Sequence, residues 1–416
     1  MMYQLWFRRP VAAVLASLVL ASPGAMALSL EGTLEAALDR SPSLGARTEL
    51  VDAAEHAIIP AGELPDPKLN LGLRNIPVEG PDQWRLQEDR MSMQSIGLVQ
   101  PVPSRAKRDA RVDQAEAGLS VARANRELAE LDIRLGAAEA WIRGFAVKQR
   151  LRLLDELYRE NRLLKEATRA RLSGGGGLAA ESVIPEQEKL LLDERQDQLE
   201  RNRAVSKLNL ARWLGEDTDL SVTGEWPRWT IADDQILDAL PSHPQLKVVE
   251  ARQGAAAAEL ALATAAKSPD WSWGVDYQHR DDAFGDMVSL RVSVDLPLFS
   301  RSRQDPMIDA RERGLSSVQH DYQDTRQVLL ASARTQLAEH DRLVRAIERL
   351  DSGLLPLAER KVSLTLADYR AASGTLQSVI NARRELIDLR MRRIDLQEQK
   401  ALVASSLYLT YGGAFQ

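Results

Sequence analysis

The chain has 416 residues, of which 44% are hydrophobic, 27% charged and only 5% aromatic, with 54 basic and 60 acidic side chains and no cysteine. The missing cysteine excludes a disulfide scaffold, a thiolate metal site and a cysteine nucleophile, and a net charge of -6 argues against nucleic acid as a partner. Few aromatics among many Ala, Leu, Arg and Glu residues point to long helices rather than one compact core.

Residues 1–27 read as an export signal peptide. Arg8 and Arg9 form a basic start, Val11 to Ala21 an apolar run, and Ala25-Met26-Ala27 a small-residue cleavage site. No later stretch approaches the roughly 18 uncharged apolar residues of a membrane helix. Soluble periplasmic, secreted and β-barrel fates remain open.

Two segments then carry the same ordered landmarks, the pattern of an internal twofold repeat. Leu38-Asp39-Arg40-Ser41-Pro42 answers to Leu240-Pro241-Ser242-His243-Pro244, and Pro65-Asp66 to Pro269-Asp270. Gln100-Pro101-Val102-Pro103-Ser104-Arg105 answers to Leu296-Pro297-Leu298-Phe299-Ser300-Arg301, and Ser182-Val183-Ile184 to Ser378-Val379-Ile380 at the same offset. The expected organisation is a first repeat over 28–215, a linker over 216–234 and a second repeat over 235–416. Within the first repeat we expect a helix of about 30 residues, a β-hairpin over about 66–101, a long helix over 104–172 and a helix over 178–213. The second should hold a similar first helix, a hairpin over about 270–297, a long helix over 305–372 and a helix over 376–411.

The long helices set the scale. Ser104 to Leu172 contains no proline, and Leu128, Leu131, Leu135, Ala138, Ile142 and Phe145 step by three and four as a coiled-coil seam does. At ~1.5 Å per residue this helix is about 100 Å long. Its counterpart carries Pro356, which should kink or break it. The last helix repeats the seam through Val379, Ala382, Leu386, Leu389, Leu396, Val403 and Leu407, interrupted by Arg393 and Lys400.

The strands alternate with a period of two. Leu69, Leu71 and Leu73 alternate with Lys68, Asn70, Gly72 and Arg74; Trp271, Trp273, Val275 and Tyr277 alternate with Ser272, Gly274, Asp276 and Gln278. Val288, Leu290, Val292, Val294 and Leu296 form the apolar face of a further strand. In Met91 to Gln100 the parity changes between Met93 and Ile96, which predicts a bulge. Such strands are long enough to cross an outer membrane when tilted. Four strands cannot close a barrel, and an open edge in lipid leaves backbone groups unsatisfied, so an oligomer must pool them; two copies would supply eight strands and three would supply twelve.

Signal peptide, repeat, hairpin-interrupted long helices and Gly-marked turns together resemble the TolC-like outer-membrane efflux proteins. The most specific parts are Ser-Val-Ile after the turns at Ser173-Gly174 and Ser373-Gly374, and the Gln100-Pro101 step. Leu64-Pro65-Asp66-Pro67-Lys68-Leu69, Met91-Ser92-Met93 and Gln100-Pro101-Val102-Pro103 followed by Lys107-Arg108 look most like the heavy-metal cation-efflux (CzcC-like) branch. The resemblance implies a mainly α fold with a membrane β-barrel: a homotrimer with a twelve-stranded barrel, a tunnel of coiled-coil helices and an equatorial region near Leu214 to Asp234. It further implies a passive exit duct in the outer membrane, with a large periplasmic portion, for heavy-metal cations. Its partners would be a periplasmic adaptor (membrane-fusion) protein and an inner-membrane RND-type pump. The alternatives are a duct for drugs and other organic solutes, or a periplasmic coiled-coil adaptor.

On that reading Ser173, Gly174, Gly175, Gly176 and Gly177, with Ser373, Gly374 and Thr375, form periplasmic tips that dock the adaptor, although Gly is also the ordinary helix C-cap. Where family members often carry aperture aspartates, this chain has Ser378 and Asn381, which leaves hydrogen bonding or steric closure in place of a charged gate. Arg383 and Arg384 are candidates to pair with Glu181 or Glu186. His279, Asp281, Asp282 and Asp286 share one loop, with imidazole and carboxylate that suit Zn²⁺, and Met91 and Met93 one strand face, with thioethers that suit Cu(I), but polar loops and lipid-facing or rim methionines are ordinary and no metal site is assigned. Trp271, Trp273 and Tyr277 fit an interfacial aromatic girdle. No nucleophile elbow or cofactor motif is present, so no enzyme activity and no cofactor are expected.

Overall fold

The computed structural model describes residues 27–86, 90–176, 178–215, 221–280, 284–371 and 373–412. The signal peptide apart from Ala27, and with it Gly177, Asp281 and Asp282, lies outside them. In chain order, β1 (Ala27–Leu28) leads into α1 (Leu30–Asp39), α2 (Pro42–His56) and α3 (Ile58–Gly62). The hairpin of β2 (Lys68–Arg74) and β3 (Met93–Val102) follows, then α4 (Arg105–Ser173) and α5 (Ile184–Leu214). Next come β4 (Ser221–Val222), α6 (Asp233–Asp238), α7 (Pro244–Ala265) and the hairpin of β5 (Trp271–His279) and β6 (Met287–Val294). The chain closes with α8 (Gln304–Arg349), α9 (Leu355–Arg370) and α10 (Leu376–Tyr411).

The helices stand as four columns. α4, 69 residues long, runs the full height. Near the sheet it packs between α2 and α7, and α7 packs on α8; away from the sheet it packs between α5 and α10, and α10 packs on α8 and α9. Thus α2 continues into α5 as one outer column, α7 into α10 as an inner one, and α8 with α9 forms the far side. The two hairpins join into one antiparallel sheet of order β2-β3-β5-β6, with the central β3–β5 ladder pairing Gln94 through Val102 with His279 through Trp271.

Two sequence expectations change and a third holds. Each opening helix is broken rather than continuous: Ser41 Oγ accepts the Leu44 N–H at 3.3 Å and His243 Nδ1 accepts the Gln245 N–H at 3.0 Å, each just before a proline in the first helical turn. Proline there loses a hydrogen bond that the helix start could not have made. Pro356 does interrupt its helix, through a single π-helical turn at Leu350–Leu354 that ends α8 and leads into α9. The bulge in β3 is absent, since Arg74 through Lys68 pair with Met93 through Val99 without a skipped residue. Met93 belongs with Ser95 and Gly97 on the polar face, and Met91 lies outside the strand.

No single core holds the columns. Small apolar clusters repeat along them, and the aromatic-rich one lies at mid-height, where Trp141, Phe145, Leu210, Leu214, Val222 and Ala401 are buried together with Trp226 and Trp229 alongside. Trp141 stacks on Phe145 at 5.1 Å, Phe145 meets Trp226 edge-on at 5.0 Å and Trp229 stacks on Tyr408 at 5.3 Å. The Trp141 indole donates to the Leu28 carbonyl at 2.9 Å and Lys148 Nζ to the Val222 carbonyl at 2.6 Å, fastening the short β1–β4 pair to α4. Gly136 lies directly under the Trp213 ring, which would collide with any Cβ there.

Beside this cluster His243 is buried and faces the Tyr411 ring at 5.6 Å. Burial pushes its pKa below the ordinary 6.5, and its Nδ1 must stay unprotonated to cap α7. The unfolded chain therefore takes up the proton first. Stability is full above pH ~6.5 and falls as the pH drops below that value, until the folded-state pKa is passed. We expect His243→Asn, which keeps a capping acceptor, to flatten the acid side of the stability profile measured by urea titration of the detergent-solubilised protein at pH 5 to 8.

Candidate functional site

The sheet is inverted relative to a water-soluble protein. Leu69, Leu71, Leu73, Ile96, Leu98, Val288, Val292 and Val294 are exposed, and Leu290 is 80% exposed. On the opposite face Asp276 is 1% and Gln278 3% exposed. An apolar face turned outward over strands of 7 to 10 residues is what a lipid-facing barrel wall requires. Trp271, Trp273 and Tyr277 lie on that outer face, as the girdle expectation has it. Among the described residues no helix is long and apolar enough to cross a membrane.

Polar residues of the inner face converge on Asp276. Arg74 Nη2 donates to its Oδ1 at 3.2 Å and Arg291 Nη2 to its Oδ2 at 3.3 Å, from opposite sides and from both halves of the chain. Gly97, the register partner of Asp276 on β3, leaves the space, since a Cβ there would collide with the carboxylate. Ser289 Oγ donates to Gln278 Oε1 at 3.1 Å in the next row. At the foot of the sheet Asp270 latches the second hairpin to the first half, accepting from Ser104 N at 2.8 Å and Lys107 Nζ at 2.8 Å. Burial works against the charged form of Asp270, and these two donors outweigh it, holding the carboxyl below its ordinary range.

At the other end of the columns lie the two tips. Gly174 caps α4, Gly175 adopts φ +79° and Gly176 N–H returns to the Arg171 carbonyl at 3.0 Å. In the second tip Ser373 and Gly374 both donate backbone N–H groups to the Asp368 carbonyl at 3.0 Å, and Thr375 Oγ1 caps α10 by accepting the Ser378 N–H at 3.2 Å. Ser173, Gly174, Gly175, Ser373 and Thr375 are exposed. Ser378 and Asn381 are exposed as well, and Asn381 Oδ1 accepts from Gln377 Nε2 at 2.8 Å.

Polar ties cross between the two helical hairpins above the tips. Arg171 lies 4.1 Å over the Tyr369 ring and donates to the Tyr369 carbonyl at 3.1 Å. Arg384 pairs with Glu188, Arg195 with Asp388 at 3.5 Å, and Arg150 with Asp395 at 2.6 Å and Glu398 at 2.5 Å. The partner of Arg384 is thus Glu188 rather than Glu181 or Glu186, because Glu186 is held by Lys165 of its own hairpin. Within that hairpin Tyr158 donates to Asp193 at 2.8 Å, and burial together with this carboxylate pushes its phenol up to about 12.

The outer membrane efflux protein family model matches residues 236–413. Over 93% of the chain and 86% of the relative, identity to the pyoverdine export outer membrane protein OpmQ of Pseudomonas putida is 24%. The cobalt-zinc-cadmium resistance protein CzcC of Cupriavidus metallidurans is 23% identical over 91% of the chain and 89% of its own length. Among solved structures, CusC superposes with a TM-score of 0.77 at 16% identity over 98% of both chains, and VceC of Vibrio cholerae with 0.74 at 18% over 93% and 97%. Along nearly its whole length the chain is thus similar to outer membrane efflux proteins, and its second half matches their family model.

In this efflux protein the expected residues fall into two places. The tip and aperture positions gather at the end remote from the sheet, apart from Gly177, which is outside the described residues. His279 and Asp286 meet at 2.8 Å at the hairpin end, joined by the Tyr277 hydroxyl, while Asp281 and Asp282 are outside the described residues. No group of three or more His, Asp or Glu suited to a metal ion occurs among the described residues. Sequence reasoning missed the Arg74–Asp276–Arg291 clamp. Its signal was there: Arg74, Asp276 and Arg291 all fall on the polar faces of the expected strands. Adding a methyl group to Gly97 should push the Asp276 carboxylate out of the clamp, an overpacking worth about 1–3 kcal/mol. Gly97→Ala is expected to lower the temperature at which the folded protein converts to its unfolded gel mobility. Gly72→Ala, whose methyl meets only Ser95 Oγ at 3.3 Å, should leave it nearly unchanged.

Proposed function

We propose that this outer membrane protein is the exit duct of a tripartite efflux system, a homotrimer whose three sheets close into a twelve-stranded barrel above a helical tunnel. The inverted sheet carries the reading. It has an apolar outer face and two strand edges, on β2 and β6, that pair with nothing in the described residues, so it needs both lipid and neighbouring copies. Four strands stand over four helix columns in each chain, and three copies supply twelve of each. The parallel order of elements in the two halves supports a twofold repeat. A soluble coiled-coil adaptor has no use for such a sheet.

The duct does no bond chemistry. Ser173 to Gly177 and Ser373 to Thr375 form the tips that meet a periplasmic adaptor, Ser378 and Asn381 border the aperture, and an inner-membrane RND-type pump supplies direction. The ties from Arg171 to Tyr369 and from Arg384 to Glu188 keep the two hairpins together and the aperture narrow. Likeness to CzcC and CusC supports heavy-metal cations as cargo; OpmQ, equally similar, supports an organic solute.

Two outcomes are expected. The protein should fractionate with outer membranes and run as a detergent-stable trimer, and a deletion strain should become sensitive either to particular Cu, Ag, Zn, Cd, Co or Ni salts or to particular organic compounds, with restoration by the gene; recovery as a soluble periplasmic monomer would contradict the duct. Arg171→Ala combined with Arg384→Ala should raise single-channel conductance in planar bilayers several-fold, and an unchanged conductance would remove these ties from the gate.

A further inference from the structure

We infer that the barrel lumen selects for anionic solutes, so that of the two cargo readings a carboxylate-bearing or phosphate-bearing organic anion fits better than a free divalent cation. The inference rests on the sheet being the wall of a conducting barrel. Its basis is the difference between the charges this face contains and those it presents to water.

Within the paired rows the polar face carries Lys68, Arg74 and Arg291 against the one carboxylate of Asp276. The Asp276 side chain is 2% exposed because the two guanidiniums cover it, whereas those of Arg74 and Arg291 remain 38% and 52% exposed. Lys68 is exposed and has no ion-pair partner among the described residues. Asp276 thus orients two arginines and is itself hidden, and a solute passing the level of this clamp meets only cations.

The chemistry of the exposed groups narrows the class. A guanidinium has five N–H donors, and each arginine donates one to Asp276. The remaining donors form the planar fork that matches carboxylate and phosphate oxygens, and a divalent cation finds no ligand there. Facing residues such as Asn70, Gly72, Ser95 and Ser293 are small and uncharged, which leaves the cations unscreened by protein.

Acids do occur at the periplasmic end of the sheet, but they form a separate zone. Asp270 is held by Lys107. Asp66, two residues below Lys68, lies about 7 Å from it at ~3.3 Å per residue and offsets part of that lysine's charge, whereas the arginine clamp at the level of Asp276 is about 13 Å away, beyond the Debye length of ~8 Å at physiological salt. Asp295 likewise follows the last paired row. The aperture positions, Ser378 and Asn381, add no acidic ring at the far end.

The test is the reversal potential of the folded trimer in planar bilayers under a steep KCl gradient, with Arg171→Ala and Arg384→Ala present so that the barrel end governs ion choice. Chloride should permeate over potassium by roughly threefold, a focusing effect of fixed lumen charge. Adding Lys68→Glu, an exposed and unpaired position, should reduce that ratio, and adding Arg74→Gln, which leaves Asp276 paired to Arg291, should bring it below one. A potassium preference in the parent channel, or a ratio that neither substitution moves in trimers of normal gel mobility, would overturn the inference and leave the duct intact. Absence of any conductance from the folded trimer would instead overturn the duct itself.

Discussion

Inside a bilayer every strand N–H and C=O must bond within protein, and in this chain that demand falls on two strand edges. The ladders β2–β3, β3–β5 and β5–β6 satisfy the interior of the sheet. In the proposed trimer the outer edges of β2 and β6 pair with other copies, and the exposed leucines and valines face lipid. Membrane insertion and assembly are therefore one requirement. The helical part inherits its geometry from it. Twelve strands ~4.8 Å apart and tilted by ~40° make a ring about 24 Å across. Twelve helix columns ~10 Å apart make a ring about 38 Å across, with a bore near 28 Å once a helix radius of ~5 Å is removed. Axis to axis the helix ring is the wider by about 14 Å, so a chain that carries four strands over four columns must step inward by about 7 Å at the junction. That step is taken by the proline-bearing segments at Pro65, Pro67, Pro103, Pro269 and Pro297, and by the Asp270 latch that ties the halves together there.

Much of this architecture was legible because it is periodic. Alternation along Trp271 to Tyr277 and Val288 to Val294 identified both strand and face, and the unbroken seam from Leu128 to Phe145 identified α4. Failures came where a single residue was ambiguous or where a partner lay far off in sequence. Met93 was assigned to the apolar face, which forced the expectation of a bulge; methionine tolerates either face, and the structure places it with Ser95 and Gly97. The breaks at Pro42 and Pro244 could have been read from the capping Ser41 and His243 before them. The partners of Arg384 and Arg150 could not, since they depend on the relative rotation of α10 against α5 and α4. The mid-height cluster gathers Trp141, Phe145, Trp226, Trp229 and Tyr408 from three distant stretches, and no spacing rule connects them.

The same long helices are held by different forces at different heights. At mid-height the contacts are buried and aromatic, with the Trp141 and Lys148 hydrogen bonds closing the belt over α4. Such packing resists displacement, because each ring that leaves its neighbours loses both burial and ring contact, the latter alone worth ~0.5–1.5 kcal/mol per pair. Toward the tips the two hairpins meet through a small aliphatic cluster, Leu164 with Tyr369, Leu376, Val379 and Ile380, and through ion pairs that reach water, such as Arg195 to Asp388 with 45% and 68% exposure. Exposed pairs of this kind are worth ~0–1 kcal/mol, and water replaces them readily once they part. Arg171, stacked on the buried Tyr369, adds a further tie. In the proposed duct the helices can therefore separate at the aperture while the equator keeps its packing. The π-helical turn at Leu350–Leu354 lies where these two regimes meet, and Arg393 holds Asp351 there at 2.7 Å. In the proposed duct the tips, which lack the aromatic packing of the equator, part at lower cost, and that is the end at which the proposed adaptor would dock.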